Sequence, residues 1–111
     1  MAGTARDPGS LRVYARLEAA ALQADGAGGH EEIWQDVAVV PLRLEPVRAT
    51  STYSADQQRE TVSHRAIYRA RTDVACGMRF IVRGRKLKII TVRDADETGR
   101  FHVALLEESD Q

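Results

Sequence analysis

The chain has 111 residues, 43% of them hydrophobic and 29% charged, which is the size and make-up of one globular domain around one core and excludes two-domain, disordered and fibrous organisations. Sixteen basic residues balance sixteen acidic ones, so the total charge gives no support to wholesale binding of nucleic acid. No apolar run approaches the roughly 20 residues that span a bilayer, and Met1 to Pro8 lacks the apolar stretch of a signal peptide, so a cytoplasmic chain away from any membrane is expected, with residues 1–9 flexible.

Leu11 to Glu18 alternates apolar and polar positions, the period of a half-buried strand. Ala19-Ala20-Ala21-Leu22-Gln23 has high helix propensity, so helix and strand compete there. The turn that follows, Asp25-Gly26-Ala27-Gly28-Gly29, favours strand because its glycines supply the positive φ values of a hairpin. A second strand starts near His30 and runs through Glu32 to Val40 and Leu42-Arg43-Leu44, with Pro41 inside it marking an edge or a bulge.

After Glu45-Pro46, residues 47–60 have no sustained apolar period. This is a long loop, and loops of such length in compact domains are commonly functional or disordered. Ser54-Ala55-Asp56-Gln57 has the pattern of a capping box, which would start one short helix. Thr61 to Arg71 reads as a strand with one charged face. Met78 to Arg83, a tight Gly84-Arg85 turn and Lys86 to Arg93 form a second hairpin rich in β-branched residues. Asp94 to Arg100 is a turn closed by Gly99, and Phe101 to Glu107 is the last strand. Five or six strands at this spacing predict an all-β domain, a small β-barrel or sandwich with a long loop.

Few residues point to chemistry. His30, His64 and His102 fall in separate segments without metal-ligand spacing. Cys76, the single cysteine, excludes an internal disulfide and a multi-thiolate metal site. The adjacent carboxylates Glu31-Glu32 and Glu107-Glu108 face opposite ways on a strand and cannot converge on one bond. Both glycine turns lack the following helix that a phosphate cradle needs. These readings predict no enzyme, no cofactor and no metal, and they place Trp34 in the core. Charge is unevenly distributed: residues 74–93 hold six basic residues and no acid, whereas residues 94–111 hold six acids and Arg100 alone. The basic hairpin is therefore either a solvated or partner-facing surface, or the face of a nucleic-acid-binding barrel in which Phe80 is the one aromatic. Fourteen of the sixteen basic residues are arginine, and alanine also numbers sixteen, a usage typical of a GC-rich bacterial genome.

The order of pieces is informative as a set: Asp25 to Gly29, Glu32-Ile33-Trp34-Gln35-Asp36-Val37-Ala38, Leu44-Glu45-Pro46, the long polar loop, Val62-Ser63-His64-Arg65, Gly77-Met78-Arg79-Phe80, and Ile89-Ile90-Thr91-Val92 with Asp94. Over residues 10 to 108 this resembles the phage head-tail joining proteins, also called stoppers or head-closure proteins, of phages, prophages or gene transfer agents. The resemblance implies a ring of six or twelve identical subunits in the particle neck, between a portal-side adaptor ring and a tail-side ring. DNA would pass through the ring without sequence recognition. It also implies that the 47–60 segment is a pore loop, with Thr50, Ser51, Thr52, Tyr53, Ser54, Asp56, Gln57 and Gln58 lining or closing the channel. The charge split adds an expectation that Arg79, Arg83, Lys86 and Lys88 meet acidic surface of a neighbouring subunit or ring.

Overall fold

Period-two burial carries the strands. Val40, Leu42 and Leu44 are buried while Pro41 and Arg43 between them are exposed, and Phe80 and Val82, Leu87 and Ile89, and Ala104 and Leu106 repeat the pattern. The computed structural model describes residues 11–47 and 62–109. They form β1 (Leu11–Ala24), β2 (His30–Pro46), β3 (His64–Arg69), β4 (Arg79–Val82), β5 (Arg85–Asp94) and β6 (Phe101–Ser109). No helix occurs among the described residues; the expected short helix at Ser54 to Gln57 lies outside them.

All six strands pair antiparallel in the order β1-β2-β3-β6-β5-β4, and β4 returns to β1 through Leu17 opposite Phe80. One antiparallel sheet therefore rings round a single core among the described residues. Tyr68 packs edge-on to Phe80 and to His102 within it, with ring centroids 6.0 and 5.8 Å apart. The second hairpin turns at Arg83 and Gly84, one residue before the expected pair. Their φ values of 52° and 79° are the consecutive left-handed residues of a tight two-residue hairpin turn.

Strand pairing decides two points that the sequence leaves between alternatives. Ladder irregularities fall at Leu17/Glu18 and Ile89/Thr91 rather than at Pro41. Pro41 instead marks an edge: β2 pairs β3 only from Arg43 to Pro46, and a proline has no N–H with which to carry that ladder on. The alanine run, a good helix former, is strand as far as Ala24, because six consecutive cross-strand pairs from Ala19–Gln35 to Ala24–His30 override propensity. β4 and β3 do not reach these pairs. Residues 19–35 thus form a two-stranded arm of roughly 20 Å running beyond the ring.

Candidate assembly surfaces

The segment expected to be a pore loop, Thr50 to Gln58 included, lies outside the described residues. Its roots are within them and are firmly held. The Val47 amide donates to the Ser63 carbonyl at 2.9 Å, and the Ser63 amide to the Leu106 carbonyl at 2.8 Å. The Glu108 amide donates to the Ser63 hydroxyl, whose oxygen lies 2.9 Å from His64 Nδ1. Arg85 sits 3.1 Å from His64 Nε2 and grips both oxygens of Glu108. An arginine can only donate, so Nε2 accepts and Nδ1 carries the proton to Ser63. Burial and then the Arg85 charge hold the His64 pKa below its ordinary value, against the opposing pull of Glu108. The Arg83–Gly84 turn lies at the same end of the ring, since Lys86 pairs with Ser109.

The four basic residues expected at an interface do not form one free row. Arg79 Nε donates to Glu18 Oε1 at 2.8 Å, and its guanidinium lies over the Trp34 ring, 4.0 Å from the centroid. Glu18 is only 7% exposed. Burial disfavours its carboxylate, but Arg79 and then Arg16 outweigh that and hold its pKa below the usual range. Trp34 is accordingly half-buried at the root of the arm rather than in the core as expected; its ring serves as a platform for a cation. Lys88 is exposed opposite both Arg79 and Glu107, and Arg83 is exposed in its turn. β5 and β6 are neighbours, so part of the charge split along the chain is answered inside one subunit, by the Arg85–Glu108 pair, and Lys88 stands opposite Glu107 in the same ladder. Phe80 is fully buried and offers no base a stacking surface.

Two further surfaces went unnoticed in the sequence. Where β2 and β3 part beyond Arg43, a cleft of about 970 Å³ opens, lined by Tyr14, Pro41, Ile67, Tyr68 and Phe101, and by Arg12, Arg43, Arg69 and Arg71. Arg71 is paired with Asp73 at 2.8 Å, Arg43 shares Glu45 with Arg65, and Arg69 lies over Phe101. Arg12 has no carboxylate partner among the described residues. Burial pushes the Tyr68 phenol up to about 12. The second surface is the arm. No lysine or arginine occurs between Arg16 and Arg43, while Asp25, Glu31 and Glu32 stand near the arm's end. Pro41 was the one sequence signal for the cleft; the unbroken absence of cations from 17 to 42 was the signal for the arm.

Among the described residues no group of three histidine, cysteine or carboxylate side chains could hold a metal ion. His30 is exposed beside the arm's turn, His102 lies 3.7 Å from Asp94, and Cys76 is free and exposed. No described helix is long and apolar enough to cross a membrane.

Comparison with known proteins adds three findings. The profile of the phage head completion protein family matches residues 6–109. A chain from the virion of a native gene transfer agent particle superposes with a TM-score of 0.62 at 25% identity, covering 86% of this chain and 93% of that one. A Shigella flexneri 2a protein, solved in solution, superposes with a TM-score of 0.71 at 22% identity over 96% of this chain and 99% of its own, a likeness of fold. No curated protein matches the sequence.

Proposed function

The chain belongs to the phage head completion protein family, a component of the virion at the junction of head and tail, and from that premise we propose that it acts as a stopper. In this reading identical subunits form a ring between a portal-side adaptor and the tail, and the 47–60 segment of each subunit reaches into the channel and holds packaged DNA until the tail is joined. The observation that carries it is the clamped loop root. Val47 and Ser63 are tied together at one end of the ring of strands, so the residues between them leave and return at one fixed point. A chain held this way reaches out at most half its contour, roughly 25 Å.

Composition supports the same role. From Ala49 to Gln58 the segment has hydroxyls, amides, Tyr53 and a single acid, Asp56, and no base. Duplex DNA carries about one charge per 1.7 Å of axis, so a basic constriction would grip it through counterion release. A neutral polar loop obstructs the duplex and then lets it run. Deleting Ser51 to Gln57 tests this: the ring of strands should stay folded, because loop length changes closure entropy little, while tail-less particles should lose their DNA. Full retention of DNA by tail-less particles carrying the deletion would place the gate elsewhere.

The rival reading, a free-standing nucleic-acid-binding barrel, is disfavoured by geometry. Arg79 and Arg85 are committed to Glu18 and Glu108, and Phe80 is buried.

A further inference from the structure

We propose that the arm of one subunit docks into the arginine-lined cleft of a second copy, making a head-to-tail contact between neighbours. The inference deepens the ring reading by naming the two surfaces that meet, and it rests on that reading for its place in the particle.

Charge makes the first case. Asp25, Glu31 and Glu32 on the arm have no lysine or arginine within the arm to answer them, and the cleft supplies Arg12 and Arg69, neither with a carboxylate partner among the described residues, Arg69 lying over the Phe101 ring. Apolar exposure makes the second. The large hydrophobics that stand out in solvent are Leu22 on the arm (72%), Val37 at its root, Tyr14 (77%) and Phe101 in the cleft, and Val39 between them. Such residues clustered on two complementary surfaces mark a contact. Backbone makes the third: among the described residues, β1 from Ala19 to Ala24 and β2 from His30 to Leu42 each have one pairing neighbour. Open edges of this kind are templates for another strand. The alanines at 19, 20, 21 and 24 keep the ribbon slender enough to enter a cleft.

The occupant is a second copy because the arm cannot reach the cleft of its own subunit. Tyr14 and Ala24 are ten steps apart on one continuous strand, about 33 Å, and folding back would break the cross-strand pairs and the Trp34–Arg79–Glu18 contacts at the arm's root. A patch that meets a different patch on the next copy propagates round a ring where the rotation closes.

The test uses the full-length chain with Cys76→Ser as background, Gln23→Cys on the arm, Thr72→Cys at the cleft, and Thr91→Cys on the exposed face of β5 as control. Oxidation of equal mixtures at high protein concentration should link the position-23 and position-72 variants about tenfold faster than positions 23 and 91, since docking raises the effective concentration of the two thiols. Adding Glu31→Arg and Glu32→Arg to the arm should abolish that preference, and adding Arg12→Glu and Arg69→Glu to the cleft partner should restore it. Equal linkage to cleft and control overturns the proposal. So does salt-sensitive binding of a duplex oligonucleotide that Arg12→Glu with Arg69→Glu removes, without preferential linkage, which assigns the cleft to DNA. The stopper reading answers to another result, because particles made without the chain that still retain DNA and join tails would end it even if arm and cleft link.

Discussion

His64 joins the loop root to the rest of the sheet, and its titration has a defined sign. The folded state holds its pKa below 6.5 because burial and Arg85 both oppose the charged form. The unfolded chain therefore binds the proton first as pH falls, so this group's contribution is present above pH 6.5 and is lost as pH drops through the lower folded value. Glu18, Asp73 and Glu108 have depressed pKa values too, and they lose their contributions further down, below their ordinary values of 4.5, 3.8 and 4.5. Thermal midpoints measured from pH 7 to pH 5 should fall, and His64→Gln should flatten that fall. Identical slopes for the two proteins would show that the Ser63–His64–Arg85 contacts do not govern it.

At the level of elements, the arm needs its clamp. A two-stranded hairpin alone is marginally stable in water, and here Arg79, bonded to Glu18 and stacked on Trp34, ties the arm's root to β4. Glu18→Gln keeps the shape but removes the charge that answers Arg79. It should cost about 1–3 kcal/mol, the range for disturbing a buried charge-assisted hydrogen bond. Trp34 is the only tryptophan, so its fluorescence reads the root without interference. A shift of its emission to the red, with faster amide exchange in residues 19–24 and 30–35 than in β5 and β6, is expected. Uniform exchange across both regions would mean that the arm is stabilised some other way.

For the whole molecule, charge is the organising quantity. Arg79 and Arg85 of the basic hairpin are neutralised within the subunit, by Glu18 and Glu108, whereas Arg83 and Lys88 are exposed and are the two of the four expected interface residues that we propose meet a neighbouring ring. Arg83→Glu with Lys88→Glu should leave the isolated domain folded, because like charges facing across a strand pair cost only about 0.2–1 kcal/mol, while tail-bearing particles should assemble poorly. Normal yields of such particles would remove this face from assembly. Rim charges act mainly on encounter and orientation, so the defect should deepen as salt is lowered.

Strand positions, both hairpins and the single core were legible in the residues, because the alternation of apolar side chains and the turn chemistry of Asp25 to Gly29 act over a few neighbours. The family was legible too, in the spaced motifs from Trp34 to Val92. Contacts between distant residues were not. Arg79 and Glu18 are 61 positions apart, and neither residue type says that the other lies beside it or that Trp34 serves them both as a platform. The cleft exists because β2 runs on past the end of its pairing with β3, and the arm because β1 and β2 are longer than their partners. Lengths of unpaired edge depend on where each strand meets its neighbours, and only the closing of the sheet round its core determines that.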